Sequence, residues 1–180
     1  MNSPKDGEVI ARVLAGDVEA FALLVDRHHE RMARSAFHLL GSEADAEEAV
    51  QDAFVRAYRA LSTYQDREQF GAWVLRILIN RCRTRLVRDK RREETAAEWL
   101  RETSEPFEPP DSFTMRDELT HALALLPTEQ REAVVLRYAN ELDYEEMSSI
   151  TGAGISALKM RVKRGCERLR AILEASRAGS

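Results

Sequence analysis

Apolar side chains recur at three- and four-residue intervals along most of this chain, and a sequence so patterned folds as helices packed on helices. The broadest stripe runs through Phe21, Leu24, Val25, His28, Met32, Ala36, Leu39 and Leu40 and stops at Gly41. Ahead of it, Val9, Ile10, Val13 and Leu14 give a first helix over Gly7 to Ala15, with Gly16 as its stop and Asp17 as a cap for the next. Ser42-Glu-Ala-Asp45 has the form of a capping box with Asp in place of Glu. It opens a third helix from Glu43 to Leu61. Ala46, Val50, Ala53, Phe54, Ala57 and Leu61 make its inner face, and Glu48, Gln51 and Asp52 project from roughly the opposite side. A fourth, long helix starts near Gln69. Leu75, Leu78, Ile79, Cys82 and Leu86 form its apolar face; Trp73, Arg76, Asn80 and Arg83 a second; Arg81, Arg85, Arg88 and Arg92 a third. Gly and Pro number only 8 and 5 in 180 residues, which disfavours a turn-rich β-sandwich. The expected fold class is all-α.

The pattern dissolves once, from Glu93 to Thr114, where Pro106, Pro109 and Pro110 sit among acidic residues. This reads as a linker whose first part can still be helical. It divides the chain into a unit over 1–95, a linker over 96–114 and a second unit over 115–180. In the second unit a helix is expected over Met115 to Leu126. Pro127-Thr128 opens another through Tyr138, with Thr128 as its cap. Asp143-Tyr-Glu-Glu146 is a capping box for a short helix ending at Gly152, and a Gly152-Ala-Gly154 turn leads into a last helix from Ile155 to about Ala175. Short helix, glycine turn and basic helix is the helix-turn-helix pattern. On the last helix Leu158, Val162, Gly165, Leu169 and Ile172 face inward. At 100° per residue the outward face centres on Ser156, Met160, Lys163, Arg164 and Glu167, with Lys159 and Arg161 at its edges. That layout suits a groove reader, central side chains reaching bases and edge cations reaching phosphates.

Charge sharpens the division. The net charge is −4, but Arg76 to Arg92 carries +7 and Lys159 to Ser180 carries +5, in a chain otherwise acidic. Such islands bind polyanions locally whatever the overall charge. Basic residues are 23 Arg against 4 Lys, and the guanidinium favours planar contacts with phosphates and bases. The longest apolar run, Ala20 to Val25, is far too short to cross a bilayer. No basic stretch followed by an apolar core opens the chain, so no secretory signal, no membrane insertion and a cytoplasmic location are expected. Cys82 and Cys166 form no C-x-x-C pair, and buried free thiols are expected. Glu118-Leu-Thr-His121 is an isolated E-x-x-H with no second pair to complete a metal site. No metal, cofactor or catalytic constellation is expected.

Four segments, in order, carry a family resemblance. Asp45-Ala-Glu-Glu-Ala-Val-Gln-Asp-Ala-Phe54, Phe70-Gly-Ala-Trp-Val-Leu-Arg-Ile-Leu-Ile-Asn80, Leu126-Pro-Thr-Glu-Gln-Arg131 and Tyr144-Glu-Glu-Met147 are similar to the core-binding, promoter-melting and fourth-region motifs of bacterial RNA polymerase sigma factors. The chain resembles the short extracytoplasmic-function type, having room for the second and fourth conserved regions only. The resemblance implies a promoter-directing subunit that is not itself an enzyme. Its partners would be core polymerase, through clamp coiled coil and flap, promoter DNA as duplex and melted strand, and an anti-sigma factor. By position, Glu48, Gln51 and Asp52 match the clamp contact. Trp73, Arg76 and Asn80 match residues engaging the minus-ten element, and the Tyr64 to Gln69 loop matches the one receiving a flipped base. Ser156, Ala157, Lys159, Met160, Lys163 and Arg164 match the minus-thirty-five reader.

The chemistry fits those roles. A captured single strand needs a cationic groove and aromatic platforms. Trp73 beside the first basic island supplies both, Arg83 continues that face, and Tyr64 and Phe70 flank the base pocket. Arg161 joins the second set as an edge cation. The sequence departs from the family pattern at Ala49, Thr84, Gly154, Ala157 and Met160; the last three lie where promoter sequence would be read. Two other classes compete. A free-standing helix-turn-helix regulator leaves the first 92 residues without a task. A helical enzyme or metal protein lacks a triad, a phosphate loop and a ligand set.

Overall fold

The computed structural model describes residues 4–65, 69–99 and 115–178, and every extended element among them is helical. They are α1 (Asp6–Leu14), α2 (Phe21–Leu40), α3 (Glu43–Arg59), α4 (Phe70–Trp99), α5 (Met115–Ala124), α6 (Thr128–Val134), α7 (Tyr144–Thr151) and α8 (Ile155–Ala178). Helices α1 to α4 form the first unit and α5 to α8 the second.

In the first unit α2 lies against α3 and α4, with α1 across its start. The expected stripes supply the core: Val9, Ile10, Leu24, Met32, Ala36, Val50, Ala53, Leu75, Leu78 and Ile79 are all buried. Fully burying a large aliphatic side chain contributes roughly 1.5–3 kcal/mol, so these contacts, not intrinsic propensity, hold the helices. Leu14 departs from its pattern and is exposed, because α1 ends there and the chain turns away at Gly16. Asp17 caps a single 3₁₀ turn, Val18–Ala20, that leads into α2. Gly41 closes α2 in the left-handed region at φ 77°. Ser42 caps α3 by accepting from the Asp45 N–H, but the reciprocal half of the expected box is missing, since the Asp45 carboxylate pairs with Arg85 instead.

Helix α4 runs to Trp99, so the expected boundary at 95/96 falls inside it; residues 100–114 of the linker lie outside the described residues. In the second unit α6 crosses α8 at Gly165, where an added Cβ would sit 2.7 Å from Val134 Cγ2 and 3.2 Å from the Gln130 carbonyl. Thr128 is the first residue of α6, not its cap: the Pro127 carbonyl receives the N–H groups of Gln130 and Arg131 directly. The helix expected to run smoothly to Tyr138 widens after Val134 into a π turn, Val135–Ala139. Asn140 N–H reaches back five residues to Val135 O, and Glu141 takes the left-handed region at φ 57°. Asp143 and Glu146 make both bonds of their capping box, and Gly152 ends α7 at φ 74°.

The two units share one apolar core. Ala133, Val135, Leu136, Leu142, Met147, Ile150, Leu158 and Val162 of the second are continuous with the core of the first. Three polar contacts stitch the seam. Arg31 Nε and Ser35 Oγ meet the Asn140 side-chain oxygen at 3.0 and 3.1 Å. Buried Arg131 donates to the Leu39 carbonyl at the end of α2, at 2.7 Å, and to the carbonyl of Ala124 at the end of α5. Arg83 of α4 grips Glu132 of α6 with two bonds of 2.6 Å.

Candidate nucleic-acid interface

The start of α4 builds an aromatic platform. Tyr64, Phe70 and Trp73 are mutually in contact, with ring centroids 5.0–5.8 Å apart, and His28 packs on Phe70 at 5.5 Å. Phe70 is 1% exposed, so it underlies the rings of Tyr64 and Trp73, which stay half-buried at the surface. The close fit of His28 against Gly71, where a Cβ would meet the ring at 3.0 Å, seats this platform on α2. Residues 66–68 of the expected base-receiving loop lie outside the described residues.

From the platform, positions 73, 76, 80 and 83 advance by three or four residues and line one side of α4. Arg76 and Asn80 are exposed. Arg83 is not open in the same way, because its fork is filled by Glu132, whose side chain is only 6% exposed. The third face of α4 is also less free than its sequence suggests. Arg85 pairs with Asp45 and Glu48, and Arg81 with Asp52. Two of the three expected polymerase contacts are thus ion-paired within the unit. The Arg85 guanidinium beside Glu48 holds its carboxyl below the usual glutamate range. Gln51 is exposed and donates to Glu47 at 3.0 Å. Arg88 and Arg92 keep exposed positions further along.

On α8, Ser156, Ala157, Lys159, Met160, Lys163 and Arg164 are all exposed, and Met160 is 46% so. Lys159 Nζ lies over the Tyr144 ring at 5.6 Å, and Lys163 approaches Glu167 at 3.9 Å. Arg161 is turned aside, half-buried and paired with Glu129 of α6 at 2.8 Å. Of the cysteines, Cys82 is buried as expected and its thiol is pushed up to about 12, by burial first and by the Glu132 charge second. Cys166 is half-buried and borders a cleft of about 580 Å³ between α5, the π turn and α8. Among the described residues no group of three His, Cys, Asp or Glu side chains is placed to hold a metal ion, and no helix is long and apolar enough to cross a membrane.

Sequence reasoning missed Arg31, Asn140 and Glu132. Only the departure of Asn140 and Glu132 from a plain amphipathic stripe could have drawn attention to them.

Comparison with known proteins agrees with this layout. The family profile described as Sigma-70 region 2 matches residues 24–92, and that described as Sigma-70, region 4 matches 116–169. The ECF RNA polymerase sigma-E factor of Escherichia coli (strain K12) is 31% identical over 174 residues, covering 90% of this chain and 91% of its own. The ECF RNA polymerase sigma factor SigW of Bacillus subtilis (strain 168) is 28% identical over 173 residues, covering 89% and 92%. Among solved structures, the sigma factor RpoE bound to the anti-sigma factor NepR from Bartonella quintana aligns with a TM-score of 0.69 at 27% identity, over 86% of this chain and 96% of that one. CnrH in complex with the cytosolic domain of CnrY aligns at 0.70 and 28%, over 96% and 99%. A helical platform with a basic flank, a helix-turn-helix unit beside it and this agreement in sequence over both place the chain among the ECF RNA polymerase sigma factors of the sigma-70 family, transcription initiation factors that direct polymerase to promoters.

Proposed function

We propose that the chain docks on core polymerase through the exposed edge of α3 and reads promoters with two separate surfaces, acting without catalysis of its own in the cytoplasm. The functional division follows residues 1–95 and 115–180, with 96–114 as tether. Glu48, Gln51 and Asp52 contact the clamp coiled coil, and the second unit meets the flap. Tyr64, Trp73, Arg76, Asn80 and Arg83 take the minus-ten strand as it melts, with Phe70 as the floor of the platform. Ser156, Ala157, Lys159, Met160, Lys163 and Arg164 read the minus-thirty-five duplex, with Arg161 at the edge. An anti-sigma factor is a further partner, as in the aligned complex of RpoE with NepR.

The observation that carries this reading is the exposed row on α8 behind a properly capped helix-turn-helix. Met160 has no core to enter and suits a thymine methyl in the major groove. Run-off transcription by holoenzyme on a randomised minus-thirty-five library tests it. Met160→Ser should change preference at one base position, at a cost of about 1–3 kcal/mol there. Lys159→Ala should weaken all sequences alike and flatten the salt dependence. Unchanged base preference for Met160→Ser removes the residue from the reading helix's contacts. Failure of the wild-type chain to support promoter-specific transcription with core enzyme would sink the reading itself.

A further inference from the structure

His28 of α2 is held from two sides. Its Nε2 lies 2.8 Å from the Asp6 carboxylate of α1, and its side chain is only 14% exposed. Val9, Ile10 and Val13 bury one face of α1, so Asp6 stands on an anchored helix. The Cε1–Nδ1 edge of the same ring faces Gly71 in the first turn of α4, where an added Cβ would lie 3.0 Å from Cε1 and 3.1 Å from Nδ1. The ring also packs on Phe70, which underlies Tyr64 and Trp73. Contacts thus run from Asp6 through one imidazole to the floor of the aromatic platform.

We propose that His28, held by Asp6, is the positioning residue of this platform, and that the pocket offered to a flipped base changes shape when the imidazole takes up a second proton. A carboxylate only accepts, so Nε2 carries the hydrogen and Nδ1 is bare in the neutral ring. The second proton therefore goes to Nδ1, on the edge that faces Gly71. The first turn of α4, Phe70 to Trp73, brings no acidic side chain to meet it, and the N–H groups of that turn are the positive end of the helix. Arg31, one turn along α2, adds a guanidinium 3.8 Å from the same Cβ position at Gly71. Arg27 is bound to Asp6 and to the Pro4 carbonyl. The Asp6 charge favours uptake of the proton but faces the other nitrogen, so the repulsion falls on the contact with α4. Because the bond to Asp6 keeps the ring from swinging clear, the first turn of α4 yields, and Phe70 and Trp73 yield with it.

The inference rests on the proposed role of α4 in taking the melted strand, and its test separates the two. Holoenzyme is assembled from core polymerase and the full chain on a promoter drawn from a randomised minus-ten library, with 2-aminopurine in place of minus-ten adenines. Open-complex lifetime and probe fluorescence are followed from about pH 8 to about pH 6, where an imidazole ordinarily takes up its second proton. Relative to His28→Gln, the wild-type lifetime should fall about fivefold across that interval, and fluorescence should rise as the base leaves the platform. His28→Gln keeps a donor near the Nε2 position and His28→Phe keeps the ring; neither titrates, so either should flatten both profiles. Asp6→Ala should shorten the lifetime about fivefold at every pH, and Asp6→Asn, which still accepts, should restore the value at high pH. His29→Gln, which alters the neighbouring imidazole paired with Glu47, should titrate like the wild type. Wild-type profiles in both His28 variants, or a wild-type lifetime in Asp6→Ala, would overturn the positioning role and leave the strand-binding reading in place. A lifetime and fluorescence unmoved by Trp73→Ala would instead overturn the strand-binding reading, and this inference with it.

Discussion

Gly165 shows how much one hydrogen atom decides. An alanine in mid-helix is ordinarily favoured over glycine by about 1 kcal/mol. Here the added methyl would press on a stiff valine and on a backbone carbonyl, neither of which can move cheaply. Gly165→Ala should therefore destabilise the chain by about 1–3 kcal/mol, as overpacked cores do, and urea unfolding would show it. Arg131 is the opposite case, a buried cation whose bonds all go to carbonyls at helix ends. Burial alone lowers its affinity for its proton. Arg131→Met should cost about 1–3 kcal/mol by leaving those carbonyls unpaired. Cys82 and Cys166 should separate by reactivity. A thiol reagent at mild alkaline pH should label Cys166 readily in the folded chain, and Cys82 only after denaturant is added, since its thiol stays protonated to about 12. Sequence periodicity placed Cys82 and Leu158 inside, because each belongs to an apolar stripe. It could not place Arg131, whose neighbours are settled by the ends of two other helices.

At the scale of elements, α3 and α4 are joined by facing rows of acids and arginines. Both rows were visible in the sequence as separate faces; that they face each other depends on a crossing that periodicity does not encode. The consequence is measurable for Glu48. Arg85 stabilises its charged form, so its folded pKa lies below the unfolded one. The stability it contributes is complete above the ordinary glutamate value and lost as pH falls through the lowered one. A carbon-detected NMR titration should place its midpoint below an unperturbed glutamate, and Arg85→Gln should return it upward. The triple alanine replacement of Glu48, Gln51 and Asp52 should change the melting temperature little, because exposed ion pairs contribute at most about 1 kcal/mol, yet abolish co-purification with core polymerase. Normal co-purification would move the docking face elsewhere. The helix ends were legible where a glycine or a capping box marks them, as at Gly41, Asp143 and Gly152. The π turn was not, since no residue type announces an extra residue in a helical turn.

At the scale of the molecule, acidic residues between two basic islands disclosed two units but not their embrace. The seam uses ordinary apolar faces plus three polar anchors, and those faces read identically whether the second unit is docked or free. Because the core is continuous, thermal unfolding monitored by helix content and by near-ultraviolet signal from Trp73 and its neighbours should follow one transition in the compact chain. The Asn140 anchor has a bearing on inheritance. Its side chain meets Ser35 and Arg31, residues more than a hundred positions earlier that belong to a separately recognisable region. A second unit transplanted from a relative without that amide would bring a matching greasy surface yet lose the side-chain oxygen that Arg31 and Ser35 share at the join. Lineages that shuffle such halves would have to carry these three residues together, so that a hybrid's fitness turns on a hydrogen-bond compatibility no promoter sequence records.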